Sequence, residues 1–478
     1  MANQLSRRDF LRMMAFTSVG AALAACGGTP AAPAEAPAAE APAEAPAEAP
    51  AEAPTAAPAE APTAAPEPAA TGKTVQWWFA WGNLGAAVDK MVEQPDFKEM
   101  MGDNVLEYKA SVNGEAILTA LAGGTPPDGG SNFDYPNLWA RGAVIPVDDQ
   151  VAVSSLIKQD DMIEALWQSS FYDGKMIGVP GIESFIWWGL NYNAKAVEDA
   201  GLDPDSPPLT WEDALVWHQA LTQFDDAGNL KQFGLDPYDA MAGEADFGIQ
   251  SFGGFNWWDE SARQINLNTE TTAQWLETCG EFIKLIGPDK LSGLRQDQTI
   301  GGGWGTSFNA GIQTMIMEGY WHPGETQIQQ PDIAQYNRST WAPVPASRAG
   351  KKIMATGAHF VQLFKDAKNT PEMFKVAEYL HTNTALDILF KEVGWITGKL
   401  SWLKTVDPNA YPGLKFYIDA PSQVDEWIVG RRCPIHWFIN TQKAELAEQV
   451  YRGNMTGADA AAELQSRAEA EWAAQGLS

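Results

Sequence analysis

Cysteine, histidine and positive charge are scarce in this sequence. Three Cys and five His in 478 residues exclude a disulfide-stapled scaffold and a metal site made of several Cys and His ligands. Lys and Arg number 32 against 61 Asp and Glu, which gives a formal net charge of −29 at pH 7. A surface this acidic repels phosphate backbones, so nucleic acid is excluded as a partner. Tryptophan is abundant instead, with 20 copies.

Signatures of the common catalytic and cofactor sites are also missing. The sequence contains no phosphate loop, no HExxH zinc motif, no CxxC pair and no GxSxG nucleophile motif. The segment 301–305 is rich in glycine but lacks the GxGxxG spacing of dinucleotide-binding loops. The sequence therefore predicts neither a cofactor nor a metal ion.

The first 25 residues have the pattern of an export signal. The run SRRDFLR at 6–12 resembles a twin-arginine signal, and the apolar stretch 13–25 is too short to span a bilayer as a helix. The sequence LAAC at 23–26 resembles a lipobox, whose Cys becomes lipidated. We expect an extracytoplasmic protein anchored through Cys26 to the outer face of the cell membrane, or in the periplasm. The alternative is a soluble protein in which Cys26 is an ordinary residue near a cleavage site.

A segment of low complexity follows the signal. Positions 30–70 contain only Ala, Pro, Glu and Thr, with eleven Pro and seven Glu. Such a composition buries no core, and its prolines favour an extended chain. We expect 26–72 to be a disordered linker that holds the folded part away from a membrane or through a cell wall.

Strand and helix signals alternate from residue 73 to the C-terminus, which predicts the α/β class. Buried strands are predicted at 74–79, 176–180 and 185–192. Thr210 begins a capping box, and Pro371 takes the first position of another helix after Thr370. Six apolar residues share one face of a further helix by their spacing: Trp275, Leu276, Cys279, Phe282, Ile283 and Ile286. Because Cys279 lies on that face, we expect Cys279 and Cys433 to be separate core thiols, with a disulfide as the alternative.

Several segments resemble family 1 extracellular solute-binding proteins. Residues 172–180 (YDGKMIGVP) look like the strand that enters the hinge of that family. The most specific match is to its "YNK…AGL…PPxTWdE" signature, at 191–193, 200–202 and 207–213. The sequence departs from the family at Gly129 and Gly130, where apolar strand residues are usual. Three further segments are similar to "alasGxxPDv", "F..GkaAM" and "aPlP": 118–128, 308–315 and 342–345.

The resemblance implies a two-lobed, periplasmic-binding-protein-like fold with discontinuous lobes and a hinge. It places lobe 1 at 73–183 plus 355–394, and lobe 2 at 184–354 plus 395–478. A ligand would lie between the lobes and be delivered to the transmembrane subunits of an ABC permease. The resemblance further implies a monomer that is not an enzyme.

Tryptophans in loops favour a carbohydrate ligand. Sugar rings stack their C–H faces on flat aromatic rings, and planar carboxylates and amides bind their hydroxyls. Trp77, Trp78 and Trp188 lie inside predicted strands and are assigned to the core, while the assignment of Trp187 stays open. Loop positions next to Gly, Asn or polar residues are unusual core sites, so they are the candidates for the lining of the cleft: Trp81 with Asn83, Trp257, Trp304, Trp321 and Trp395.

Carboxylates are the candidates for hydroxyl contacts. The resemblance implies this role for Glu183 at the hinge and for Asp134 in lobe 1. Glu244 and Asp246 are expected to be solvated acids on the rim of lobe 2, and the pair at 431–432 to be surface arginines.

Two other readings stay open. The same fold could hold a polyamine, a peptide or a polyol phosphate, and a polyamine would suit the negative charge. A secreted glycosidase would also carry tryptophan platforms and paired carboxylates.

Overall fold

The computed structural model describes residues 72–181, 186–296, 305–357 and 359–477, with the side chains of 295 and 296 left out. The export signal, Cys26, nearly all of the linker, Glu183 and Trp304 lie outside these ranges. The predictions made for them are therefore not addressed by the structure. None of the helices within these ranges is both long and apolar enough to cross a bilayer.

The first sheet is assembled from strands far apart in the sequence. Its order is Val105–Lys109, Thr74–Phe79, Gly129–Ser131, Gln362–Phe364 and Val144–Ile145. The first three strands are parallel to one another, and Gln362–Phe364 is antiparallel to both of its neighbours. Eight helices lie near these strands in the sequence, six between residues 84 and 169 and two after Gln362–Phe364. They are Leu84–Val92, Pro95–Met101, Gly114–Ala122, Tyr135–Ala140, Asp148–Val153, Glu164–Ser169, Thr370–Tyr379 and Asn383–Val393.

The second sheet is built mainly from the middle of the chain. Its order is Asn337–Trp341, Gly189–Asn193, Gln313–Glu318, Leu230–Leu235 and Gln223–Phe224. Gln313–Glu318 runs parallel to Leu230–Leu235 and antiparallel to Gly189–Asn193. The remaining helices lie between residues 194 and 334 and between residues 400 and 474. They are Ala194–Asp199, Trp211–Leu221, Ala245–Gly253, Glu270–Ile286, Pro288–Gln296, Thr306–Asn309, Trp321–Gln329, Pro331–Ala334, Leu400–Leu403, Leu414–Asp419, His436–Tyr451 and Gly457–Ala474.

Short strand pairs and single turns of 3₁₀ helix complete the fold. The strand pairs are Phe171–Tyr172 with Lys175–Met176, Trp258–Asp259 with Gln264–Ile265, and Ile353–Thr356 with Glu426–Val429. The 3₁₀ turns are Gln159–Asp161, Ala240–Gly243, Ala346–Arg348 and Ala420–Gln423. The predicted α/β class is confirmed.

The chain passes from one sheet to the other and back in segments that pair with each other. Val179 forms an isolated antiparallel bridge with Val361, and Trp187 forms another with Ala355. The first segment leads from the first sheet toward Gly189–Asn193, and the second leads back toward Gln362–Phe364. Crossing strands of this kind are a compact way to join two sheets by a hinge.

The two glycines at 129 and 130 have a packing explanation. They lie in the middle of the first sheet, within the strand Gly129–Ser131. A Cβ on Gly129 would be 2.6 Å from Cγ of Met373, and one on Gly130 would be 2.7 Å from Cε2 of Phe364. Larger neighbours on both faces therefore fill the space that strand side chains would otherwise occupy.

Local sequence signals predict several element boundaries correctly. The strand at 74–79 and the buried face of the helix Glu270–Ile286 are confirmed. Thr210 is confirmed as the N-cap, since its Oγ1 atom accepts a hydrogen bond of 3.1 Å from the backbone N–H of Asp213. The carboxylate of Asp213 in turn accepts a hydrogen bond of 2.7 Å from that hydroxyl group. The strand predicted at 185–192 begins only at Gly189, because Trp188 has φ +73°, which interrupts an extended backbone.

Two further sequence predictions can be compared with the structure. The strand predicted at 176–180 is shorter in the structure and begins one residue earlier, at Lys175–Met176. Beyond it, Val179 forms only an isolated bridge. Cys279 and Cys433 are separate buried thiols, as the sequence predicts.

Candidate functional site

A cavity of about 550 Å³ lies where strands of both sheets end. Trp81 and Asn83 follow the strand Thr74–Phe79, and Asn132 follows Gly129–Ser131. On the other side, Trp321 follows Gln313–Glu318. Carboxyl ends of parallel strands are the usual place for ligands in α/β proteins. The described lining residues are Ala80, Trp81, Gly82, Asn83, Asn132, Met241, Thr306, Trp321, Glu325, Gln329, His359, Trp395 and Arg431.

The indole rings of Trp81, Trp321 and Trp395 form an apolar part of the cavity wall. The rings of Trp81 and Trp395 meet edge to face, with centroids 5.5 Å apart. Trp81 also meets the ring of His359 at 5.2 Å. Trp321 is 7 % exposed and Trp395 1 %, whereas Trp81 is only partly buried. Trp81 therefore offers most of the aromatic surface, while the other two rings both line the cavity and support the core.

Glu325 joins the two sides of the cavity. Its Oε1 atom accepts a hydrogen bond of 2.9 Å from Nδ2 of Asn83 and one of 2.7 Å from Nε1 of Trp395. Asn83 precedes the helix Leu84–Val92 beside the first sheet, and Glu325 lies on the helix that follows the central strand of the second sheet. The carboxylate is thus held in a fixed orientation by donors from outside its own helix.

Two glycines allow this geometry. A Cβ on Gly324 would lie 2.2 Å from the carbonyl oxygen of Gly394, and a Cβ on Gly394 would lie 2.5 Å from Cα of Gly324. Gly394 also has φ +82° at the C-terminus of the helix Asn383–Val393. The close approach of these two backbones brings Trp395 within hydrogen-bonding distance of Glu325.

Arg431 lines the cavity and is anchored from behind. Its Nε and Nη2 atoms donate to both carboxylate oxygens of Glu244, at 3.1 and 2.6 Å. Its Nη1 atom lies 2.7 Å from Nε2 of His359, and its backbone N–H donates to Asp246 at 2.6 Å. The guanidinium is stacked against Trp187, 5.2 Å from the ring centroid. A paired, stacked guanidinium of this kind is rigid.

His436 completes the charged cluster behind Arg431. Its Nδ1 atom is 3.1 Å from Asp246, and its Nε2 atom is 3.3 Å from Glu244. Burial by itself would lower the pKa of His436, but the two carboxylates outweigh burial and raise that pKa to about 9. Burial by itself would raise the pKa of Glu244, but Arg431 and His436 hold that pKa well below its ordinary value. In this cluster the cations Arg431 and His436 are therefore paired with the carboxylates of Glu244 and Asp246.

The same cluster contains a set of potential metal ligands. Ligand atoms of Glu244, Asp246 and His436 lie within 4.8 Å of one another. The bidentate guanidinium of Arg431 already occupies the carboxylate of Glu244. The raised pKa of His436 also keeps its imidazole protonated at neutral pH, whereas a metal needs a neutral imidazole. The donor set is thus suited to an ion-pair network rather than to a metal ion.

We expect the stability of the protein to fall between pH 6.5 and pH 9 through His436. The pKa of His436 is raised on folding, so its contribution is complete below pH 6.5 and is lost as the pH rises through about 9. Loss of this one proton contributes a slope of up to about 1.4 kcal/mol per pH unit. Urea unfolding at several pH values should show that slope, and His436→Gln should remove it. An identical slope in the variant would contradict the ion-pair assignment.

The structure brings together four of the predicted binding residues. Trp81, Asn83, Trp321 and Trp395 line the one cavity, although they are up to 314 positions apart in the sequence. Their contact with a ligand stays a prediction. Trp187, whose assignment was open, is buried beneath this wall, 4.9 Å from the ring of His359.

Two of the predicted binding residues lie elsewhere. Trp257 is 0 % exposed within the hydrophobic core and is not among the lining residues, so its assignment to the cleft is corrected. Asp134 is partly buried before the helix Tyr135–Ala140 and also does not line the cavity. Burial raises the pKa of Asp134 to about 7, against the opposing effect of His436 and of Arg141 and Arg431.

The predicted surface charges are also corrected. Glu244 and Asp246 are buried, because the cations of Arg431 and His436 compensate them. Arg432 is not a surface residue either. It donates to Glu260 at 2.7 Å and to the backbone carbonyl groups of Ser169 and Phe171.

Sequence reasoning missed Glu325 and Gln329. Both follow Trp321 on the helix Trp321–Gln329, at intervals of four residues. Residues four apart lie on one face of a helix, so this spacing was a usable signal once Trp321 had been selected. His359 and Met241 carried no comparable signal.

Comparison with solved structures finds extensive similarity in fold. An ABC transporter solute-binding protein from Thermotoga lettingae, bound with α-D-tagatose, aligns over 83 % of this chain and 98 % of its own, with a TM-score of 0.68 and 18 % identity. This chain has the fold of the ABC-transporter solute-binding proteins. The two-lobed, periplasmic-binding-protein-like architecture predicted from the sequence is thereby confirmed. No family model and no curated protein sequence matches the chain.

Two more solved structures share this fold. An ABC substrate-binding protein from Listeria monocytogenes, in complex with cycloalternan, covers 83 % of this chain and 98 % of its own, with a TM-score of 0.65 and 17 % identity. The sugar-binding protein MalE from Xanthomonas citri covers 84 % and 99 %, with a TM-score of 0.62 and 19 % identity.

Proposed function

We propose that this protein is the extracytoplasmic substrate-binding lipoprotein of an ABC importer and captures a carbohydrate, an oligosaccharide, between its two lobes. The observation that carries the proposal is the cavity at Trp81, with Asn83 and Glu325 beside it, at the strand ends of a solute-binding fold. Structures with this fold include a tagatose complex and a cycloalternan complex.

The lining suits a sugar for physical reasons. The partly exposed ring of Trp81 provides a flat apolar surface for the C–H face of a pyranose. Asn83, Asn132 and Gln329 offer amide donors and acceptors for hydroxyl groups, and Glu325 offers a carboxylate. A cavity that combines apolar rings with a few oriented polar groups is typical of small-molecule sites.

Delivery to a permease requires that the liganded shape be recognisable. The proposed lobes are 73–183 plus 355–394 and 184–354 plus 395–478, joined by the paired crossing segments. Because the lining residues come from both sides, a bound ligand would favour closure of the lobes about the hinge. Glu183, Trp304 and Asp134 stay candidates for contacts in that closed form.

Glycoside hydrolysis is the less favoured reading. A glycosidase of the usual kind needs two carboxyl groups that flank the bond to be cleaved. Among the lining residues within the described ranges, Glu325 is the one carboxylate. The three proteins compared above are named as a solute-binding, a substrate-binding and a sugar-binding protein. Incubation with oligosaccharides, followed by an assay for new reducing ends, separates the two functions.

A thermal-shift screen tests the proposal. The panel contains maltotriose, mannotriose, cellotriose, tagatose, spermidine, a tripeptide and glycerol 3-phosphate. A ligand at 100 times its Kd stabilises the folded state by about 2.7 kcal/mol, which is measurable as a rise in Tm. We expect at least one saccharide to raise Tm. A rise with spermidine, peptide or phosphate, and with no saccharide, would overturn the proposed function.

We expect the mature protein to be anchored to the membrane through Cys26. The lipobox at 23–26 motivates this prediction, because the buried CH₂ groups of lipid attached to Cys26 would hold the protein at the membrane. The wild-type protein should enter the detergent phase of a two-phase extraction, whereas Cys26→Ala should stay aqueous or unprocessed. Cys433→Ala is the matched control. Recovery of the wild type entirely from the aqueous phase would show that the lipobox is not used.

A further inference from the structure

Trp437 is a tryptophan that lies outside the hydrophobic core. Within the described ranges it is the one tryptophan among the exposed large apolar side chains, with an exposed fraction of 46 %. It lies in the first turn of the helix His436–Tyr451 and is not among the lining residues of the cavity. A ring at such a position contributes little to the core, so its neighbours indicate what else it can bind.

Contacts through Arg431 place this ring beside the cavity. Cζ of Arg431, which lines the cavity, is 4.9 Å from the centre of the Trp437 ring and 5.2 Å from that of the buried Trp187. Nη1 of Arg431 is 2.7 Å from Nε2 of His359, and the ring of His359 is 5.2 Å from that of Trp81. A continuous row of planar groups therefore leads from Trp81 to Trp437.

The loop that carries Asn132 leads toward the same place. Asn132 lines the cavity, and the partly buried Asp134 follows two residues later. Nδ2 of Asn137, on the helix that begins after Asp134, donates a hydrogen bond of 3.0 Å to the carbonyl oxygen of Pro434, three residues before Trp437. Segments from both proposed lobes are therefore in contact beside Trp437, as they are beside Trp81.

The ring of Trp437 is held in place without a ligand. It stacks on the guanidinium of Arg431, which donates to both carboxylate oxygens of Glu244. The ring of His436 also meets it edge to face, with centroids 5.1 Å apart. An exposed ring that is already ordered loses little conformational freedom when it binds a ligand.

We propose that the binding site extends past Arg431 to Trp437, and that this indole stacks on a further ring of a linear oligosaccharide. Trp81 holds one sugar ring and Trp437 another, with Asn132 and Asp134 beside the path for contacts to hydroxyl groups. Saccharides long enough to reach both indoles bind more tightly than shorter ones. This inference rests on the proposed function and adds to it a preference for chain length.

The dependence of affinity on saccharide length tests the inference. Malto-, manno- and cello-oligosaccharides, from the monosaccharide to the hexasaccharide, are titrated into the full chain by calorimetry. In at least one series, we expect affinity to rise at least about tenfold between two consecutive lengths, as the second ring is reached. If saccharides bind but no series shows such a step, the inference is overturned and the proposed function stands. If no saccharide binds, the proposed function fails as well.

Trp437→Ala separates a ligand contact from mere support of Arg431. The variant should lose the affinity step of the longer saccharides and keep the affinity for the shorter ones, because Glu244 still anchors Arg431. Trp437→Tyr keeps an aromatic face and should restore most of the step. An equal loss at every length would show that the ring only supports the wall. That result, or an unchanged step in Trp437→Ala, would overturn the inference.

Phe224→Ala is the matched control. Phe224 is 41 % exposed and also has a cation over its ring, Nζ of Lys290 at 4.3 Å. It lies on the edge strand Gln223–Phe224 of the second sheet and is not among the lining residues. Its loss should leave the affinity unchanged at every length. A loss of the step in this control would show that the step does not report on Trp437 and would overturn the inference.

Discussion

Trp81→Ala is expected to bind the saccharide ten- to a hundredfold more weakly than the wild type. Loss of one stacked ring removes on the order of 1–3 kcal/mol of binding free energy. Because Trp81 is only partly buried, the unliganded variant should melt close to the wild type. Trp321→Ala and Trp395→Ala should lose affinity as well, but each also empties a buried ring position and should lower the free energy of unfolding by about 3–5 kcal/mol. Isothermal titration and urea unfolding measure the two effects separately.

Trp257→Ala is the matched control for this series. Trp257 is a fully buried ring outside the cavity lining, so its loss should destabilise the protein without changing the affinity of the folded fraction. If Trp81→Ala and Trp321→Ala both bind at full strength when folded, these rings do not contact the ligand and the binding site lies elsewhere.

Arg431→Met is expected to lower the free energy of unfolding by about 3–5 kcal/mol. It removes the guanidinium that holds both oxygens of Glu244 and leaves that buried carboxylate with His436 alone. Urea unfolding at pH 7 measures the loss. The double variant Arg431→Met/Glu244→Gln should recover part of the stability, because neither charge is then left unpaired.

Arg452→Met provides the comparison for the arginine. Arg452 pairs with Glu448 and Asp289 at a largely exposed position, and such pairs contribute about 0–1 kcal/mol. A loss for Arg431→Met no larger than the loss for Arg452→Met would show that the buried network does not support the wall of the cavity.

Much of the fold was accessible from local sequence patterns. The strand Thr74–Phe79 and the apolar face of Glu270–Ile286 depend on residues next to one another in the chain, so periodicity predicts them. Gly129 and Gly130 were identified as a departure from the family pattern, but the reason lies in Met373 and Phe364, which only the folded sheet brings near.

The candidate site was accessible only in part, and two tryptophans show why. Trp81 and Trp257 are both loop residues close to Asn, so the local sequence treats them alike. Tertiary packing leaves Trp81 at the cavity and buries Trp257 completely. Glu244 was assigned to the surface for a related reason. Its compensating cation, Arg431, is 187 positions away, and no local pattern predicts a buried ion pair of that separation.

Hydrogen–deuterium exchange of the full chain, with and without a saturating saccharide from the thermal screen, tests the central claim most directly. Our account predicts slower exchange on both sides of the cavity, in peptides that cover 80–84 and 321–329, and little change in the hairpin 258–265. Protection confined to one side, or protection away from the cavity altogether, would contradict capture of the saccharide between the lobes.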